Sequence, residues 1–136
     1  MDTTLQPLLR RAALVLAAAL APLAAWPATP TELQAQYAAA AGTAPSAARG
    51  ERFFADRHGR DWSCASCHGN PPAQAGKHAS TGKPIEPLAP AANAQRFTDL
   101  AKVEKWFRRN CNDVVGRECT PGEKADVLAW LVTVKP

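Results

Sequence analysis

A chain of 136 residues is long enough for one domain and short for two. Its net charge of +4 comes from basic residues scattered along the chain rather than clustered, which argues against nucleic acid and suits docking to an acidic partner. Of the four cysteines, all lie beyond residue 60, and the single methionine is Met1.

Taken in chain order, the first segment is a short charged region ending at Arg10-Arg11. An apolar run follows at residues 12–21, Pro22 breaks it, and small residues lead to Ala25 and Ala28. This is the layout of a secretory signal peptide. The run is shorter than the roughly 20 residues that a membrane span needs. A retained N-terminal anchor is the alternative. The rest of a twin-arginine pattern is missing, so ordinary unfolded export is expected. Cleavage after Ala25 to Ala28 would leave 29–136 as one soluble domain in the periplasm.

Thr29-Pro30-Thr31-Glu32 is a capping box with proline at the first helical position, and it predicts a helix to about Ala41, ended by Gly42. Ser46 is expected to cap a second helix from Ala47 to about Arg57. Between Gly69 and Gln95 five prolines restrict the backbone and remove amide donors, so little regular structure is expected. A loop of that length in a compact domain suggests a wall around a ligand. Thr98 is expected to cap a third helix to about Asn110, with Leu100, Val103, Trp106 and Phe107 as its apolar face. Thr120-Pro121-Gly122-Glu123 is a second capping box and opens a fourth helix carrying Val127, Leu128, Trp130 and Leu131. No internal repeat is present. The expected fold is all-α, about four short helices around a buried cofactor.

The cofactor is read from Cys64-Ala65-Ser66-Cys67-His68. Two thiols three residues apart can add to the two vinyl groups of one haem, and the histidine that follows is placed to bind the iron, so C-x-x-C-H marks covalent haem c. The motif is short, and its exported context adds weight. A thioredoxin-like redox pair would need a βαβ setting, which is lacking. A zinc site shared with Cys111, Cys119 or a histidine is the other alternative. Gly50, Phe53 and Phe54 before the motif resemble the N-terminal helix of class I cytochromes c, and Trp130 resembles the aromatic position of their C-terminal helix. In that class the two helices cross, and the small residue allows close contact.

With Met1 removed by export, no methionine is left to bind the iron, which excludes His/Met ligation. The sixth position is then open or filled by His58, His78, a lysine, or an amide or carboxylate. His58, ten residues before His68, approaches from the proximal side. His78 lies in the loop and can reach the distal face. Asn110 falls on the apolar face with Val103, Trp106 and Phe107. Capping of the helix end is its plainer role. Outside the cytoplasm the leftover pair Cys111 and Cys119 is expected to oxidise.

Nearly all of residues 29–136 resembles the SHP cytochromes, the sphaeroides haem proteins. The resemblance is carried by Arg96-Phe97-Thr98-Asp99, Val103-Glu104-Lys105-Trp106, Arg109-Asn110-Cys111-Asn112, and the run from Gly116 to Asp126. Thr81-Gly82-Lys83, Ile85, Pro87 to Pro90, Tyr37, Ala39 to Gly42 and Arg49-Gly50 match too. The resemblance implies His68 as proximal ligand, Asn110 as distal ligand of oxidised iron, and a Cys111–Cys119 disulfide. It implies that Asn110 leaves on reduction, so that oxygen or nitric oxide can enter. It also implies a multihaem cytochrome c as partner, with a membrane cytochrome b upstream. The related cytochromes c″ use a releasable histidine, which keeps His78 as an alternative. The function expected is redox-gated ligand binding. A plain electron carrier and an oxygen- or nitric-oxide-consuming enzyme are the alternatives. No acid–base pair placed for turnover is legible.

Overall fold

The computed structural model describes residues 28–136; the export-signal reading lies outside these residues except for Ala28. The fold is all-α, with five helices rather than four and one very short hairpin among the described residues. Helix α1 (Pro30–Ala41) starts where its capping box places it. The Thr29 side chain accepts from the Glu32 amide at 3.2 Å, and the Glu32 carboxylate accepts from the Thr29 amide at 2.7 Å. Gly42, at φ 65°, ends it. Helix α2 (Ala47–Ala55) is capped by Ser46 and stops two residues short of Arg57, because Asp56 turns extended. Helix α3 (Cys64–His68) is an element that the sequence pattern did not announce: Ser63 and Ser66 form a capping box around the haem motif itself. Strands β1 (Gly76–Lys77) and β2 (Pro84–Ile85) pair antiparallel within the otherwise irregular Pro-rich segment.

Helix α4 (Leu100–Val114) differs most from expectation. Asp99, not Thr98, caps it, and the Thr98 hydroxyl donates instead to the Gln95 carbonyl in the preceding turn. The helix also continues one turn past Asn110, because Cys111 and Val114 extend its buried face. Asn110 is therefore inside the helix and does not cap it. Val103 is buried and Phe107 half-buried, whereas Leu100 and Trp106 are 44% and 42% exposed. Helix α5 (Pro121–Leu131) begins at the Thr120 capping box as predicted and is buried from Ala125 to its end.

Helices α1 and α2 both pack on α5. Where α2 crosses α5, Gly50 lies against the Asp126 carbonyl, and a methyl group there would overlap it. The buried Asp126 carboxylate accepts the Ser46 amide (2.6 Å), Arg49 Nε (2.7 Å) and Arg49 Nη2 (2.8 Å), so its burial is compensated. Leu33, Tyr37, Val103, Ala125 and Leu128 join α1, α4 and α5 in one apolar cluster. At its edge the Tyr37 hydroxyl donates to Glu104 at 2.5 Å and Lys124 Nζ donates to the other Glu104 oxygen at 2.8 Å. Burial pushes the Glu104 carboxyl up, but the bonds from Lys124 and Tyr37 outweigh it, and the group sits below its ordinary range.

Gly50→Ala should lower stability by about 1–3 kcal/mol through overpacking, read by thermal unfolding. A full-stability Ala variant would contradict the close crossing. A carboxyl whose pKa is depressed by folding stabilises above its unfolded value, about 4.3, and loses that contribution as pH falls through the folded value. Glu104→Gln should therefore lower stability at neutral pH and flatten the acid-side decline, as measured by urea unfolding across pH.

Candidate haem-binding site

The C-x-x-C-H run sits on one helical turn. Ser63 holds its N-terminus by accepting from the Ser66 amide at 3.2 Å, and Gly69, at φ 78°, releases the chain at the other end. Phe54 of α2 lies 6.1 Å from the His68 ring and 4.9 Å from Trp130 of α5, centroid to centroid. The crossing of α2 and α5 thus reaches His68 through two aromatic rings. On its other side β1 presses close: a Cβ on Gly76 would overlap the Cys67 carbonyl and come within 3.0 Å of His68 Cα. The Ala79 amide points at Cys67 Sγ from 3.3 Å.

Helices α2, α3, α4 and α5, with part of the Pro-rich segment, line an open cavity of about 380 Å³, in the size range of a small-molecule site. Cys64, Cys67 and His68 line it, as do Val103, Trp106, Phe107 and Asn110 of α4. Burial pushes the Cys64 thiol up to about 11. Burial, with the Arg96 charge adding to it, pushes the His68 imidazole down to about 4. Both shifts have the sign of a low-dielectric setting that disfavours charge. His68 is therefore neutral, the form that binds metal. Its Nδ1 is buried without a hydrogen-bond partner among the described residues, costly for an imidazole with a purely structural role. Two thiols one helical turn apart, a half-buried neutral imidazole and an apolar cavity fit a covalently attached haem.

The Asn110 side chain makes no hydrogen bond among the described residues, although it is half-buried at the cavity wall. Its neighbour Cys111 is joined to Cys119, with Cα atoms 5.6 Å apart and both residues 6% exposed. Among the described residues no group of three or more His, Cys, Asp and Glu is arranged to hold a metal ion, which removes the support for a zinc site.

The other two histidines separate. His58 lies outside the cavity: its Nε2 is 2.9 Å from the Phe53 carbonyl, its ring rests on Phe53, and Asp56 is 3.7 Å away. His78 does line the cavity, but the Ser80 and Thr81 amides both donate to its Nδ1 at 3.3 Å. An Nδ1 that accepts two N–H bonds puts the proton of the neutral ring on Nε2, so that nitrogen is a donor rather than a ready ligand. Arg96 is a cavity residue to which the sequence assigned no role. It donates to the Glu86 and Pro87 carbonyls (2.7 and 2.9 Å) and so ties the Pro-rich segment to the start of α4. Trp62, just before the motif, lines the cavity too and was likewise missed.

An all-α fold that sets C-x-x-C-H against an apolar cavity defines a c-type cytochrome. The chain is 52% identical over 123 residues to the cytochrome c-type protein SHP of Cereibacter sphaeroides, covering 87% of this chain and 95% of that one. It is 49% identical over 94 residues to cytochrome c″ of Methylophilus methylotrophus, covering 66% and 65%. Among solved structures it is similar to oxidised SHP, described as an oxygen-binding cytochrome c: TM-score 0.74, 50% identity, 79% of this chain and 99% of that one. Oxidised cytochrome c″ from Methylophilus methylotrophus superposes with a TM-score of 0.70 at 42% identity, over 79% and 95%. A family model described as "Domain of unknown function (DUF1924)" matches residues 40–131. The chain belongs to the SHP family of c-type cytochromes, and its cofactor is covalently bound haem c. No helix among the described residues is long and apolar enough to cross a membrane.

Replacing both Cys111 and Cys119 by alanine should lower the unfolding free energy by roughly 2 to 3 kcal/mol, the loop-entropy scale for so short a loop. Urea unfolding of the double variant measures it, and an unchanged midpoint and slope would remove the bridge as a stabiliser.

Proposed function

We propose that this chain is a periplasmic, redox-gated ligand-binding cytochrome in which Asn110 closes the site in the oxidised protein and opens it on reduction. Haem bound in the cavity supplies an iron that takes up one electron and can hold a small diatomic molecule such as oxygen or nitric oxide. Cys64 and Cys67 would attach the group, and His68 would bind its iron. The observation that carries the reading is the placement of Asn110: a half-buried amide on the cavity wall, with no partner of its own, on the helix turn that the disulfide anchors. Its amide oxygen is a hard, weak donor. Ferric iron is harder than ferrous iron, so Asn110 holds its place before reduction and is displaced more easily after it.

The competing distal ligand, His78, is disfavoured by its own hydrogen bonds, which commit Nδ1 as an acceptor. The descriptions of relatives support a haem whose ligand can change, without choosing between Asn110 and His78. One related structure is described as an oxygen-binding cytochrome c. The solution structure of cytochrome c″ concerns haem-ligand detachment in that protein. The electron would come from a redox partner, by family resemblance a multihaem cytochrome c fed by a membrane cytochrome b. The chain reaches the periplasm through the signal in residues 1–28.

The purified protein should give a low-spin visible spectrum when oxidised and a high-spin one after anaerobic reduction. Asn110→Ala should keep covalent haem but be high-spin or water-bound already when oxidised. An unchanged low-spin oxidised spectrum in that variant would sink the assignment, and low-spin spectra in both states of the wild type would favour a plain electron carrier.

A further inference from the structure

Helix α4 carries a basic stripe along the rim of the cavity, where Lys102, Trp106 and Arg109 are themselves lining residues. At about 100° per residue, Lys102, Lys105, Trp106 and Arg109 form one stripe, and Val103, Phe107, Asn110 and Val114 form the next. Trp106 lies on the border. It lines the cavity, yet its ring is met from outside by Lys105 Nζ at 5.8 Å and the Arg109 guanidinium at 5.7 Å from the centroid. Lys102, Lys105 and Arg109 are exposed, and none of them has an acidic partner among the described residues. The helix's one glutamate, Glu104, points the other way, into its bonds with Tyr37 and Lys124. Arg108 also leaves the stripe and pairs with Glu118 at 3.5 Å. The remaining acid, Asp113, stands at the C-terminal end of the stripe. Three unpaired cations around a half-exposed indole make a surface that an acidic protein fits.

We propose that this stripe is the docking surface for an acidic redox protein, and that Trp106 is the side chain through which the docked partner meets the haem cavity. The proposal rests on the electron-accepting function above and places its entry point. Unpaired cations would steer the partner from a distance, and the indole would supply the apolar contact at the centre. Cation–π contacts hold the ring in place while leaving it available to a partner.

The probe is a flavodoxin hydroquinone, an acidic one-electron donor. Its anionic hydroquinone gives up one electron and becomes the neutral semiquinone, and the ferric cytochrome becomes ferrous. Stopped-flow reduction is followed at low and high ionic strength in the haem-loaded protein. The triple variant K102E, K105E, R109E should react at least about tenfold more slowly at low ionic strength and lose most of its salt dependence. A charge-matched control on exposed cations elsewhere, R52E, R57E, K135E, should stay within about twofold of wild type. Trp106→Ala should lower the saturating rate while keeping the salt dependence. Equal losses in the two triple variants would overturn the proposal, since net charge alone would then explain them. Unchanged flavodoxin rates in the stripe variant, with loss of its binding to phosphatidylglycerol vesicles, would overturn it in favour of a lipid surface. Reduction by dithionite is the separate control. A wild-type protein that dithionite does not reduce overturns electron acceptance itself and the docking surface with it. A stripe variant that behaves as wild type with both reductants overturns the docking surface alone.

Discussion

The close crossing of α2 on α5 is the constraint on which the site depends. Only a residue without a side chain lets the α2 backbone reach the Asp126 carbonyl, and Gly50 supplies it. The same aspartate uses its carboxylate to take the Ser46 amide and the Arg49 guanidinium, so one buried residue fixes both the start and the approach of α2. A carboxylate that left those donors unmet would be expensive to bury; with three bonds it is satisfied. From this crossing the chain of contact runs through Trp130 and Phe54 to the ring of His68. The orientation of the imidazole is thereby set by a helix pair rather than by the irregular loop around it.

The opposite wall is built differently. Helix α4 reaches the rest of the fold through Val103 and Phe107 and through the Tyr37–Glu104–Lys124 bonds, with no backbone crossing as close as that at Gly50. Its C-terminal turn is secured by the Cys111–Cys119 bridge and its start by Asp99. Between those two fixed ends Val103, Trp106, Phe107 and Asn110 are among the residues that line the cavity, with Trp106 and Asn110 one turn apart. Arg96 adds a tie from the Pro-rich segment, bonding two carbonyls that otherwise have little regular structure to serve. The cavity is therefore bounded by a tightly packed wall at His68 and a more loosely connected wall at Asn110.

How much of this the sequence discloses depends on how local each cause is. The two capping boxes, at Thr29 and Thr120, involve residues three apart and act through reciprocal side-chain bonds, so α1 and α5 begin where the pattern says. The haem motif is equally local. Helix α4 is less legible, because both Thr98 and Asp99 are good caps, and which one acts is decided by the turn that binds the Thr98 hydroxyl to Gln95. Its continuation past Asn110 follows from Cys111 being buried in a bridge to a residue on another segment, a tertiary fact. Trp106 illustrates the limit of periodicity. Its spacing marks it as apolar-face, but a residue on the border between two faces serves both. The state of His78 was beyond pattern altogether, since it turns on which backbone amides meet Nδ1 in one tight turn.

In the proposed reading, the unequal walls suit the chemistry. Ligand exchange on one side of a metal needs a partner that does not move on the other. The imidazole at His68 is neutral in its low-dielectric setting and lies beside Phe54, which the α2–α5 crossing holds, while Gly76 packs on the backbone of Cys67 and His68. Asn110 sits on a helix whose backbone is pinned one residue away by the disulfide, while its side chain has no competing bond to break. Motion can then be confined to a few side-chain torsions, without unfolding a turn of helix. A free-energy difference of about 1.4 kcal/mol is a tenfold change in occupancy. A weak amide donor is thus within reach of the change in iron hardness. If the stripe of cations beside Trp106 docks the electron donor as proposed, the event that triggers such a change would fall on the same helix as the residue that responds to it.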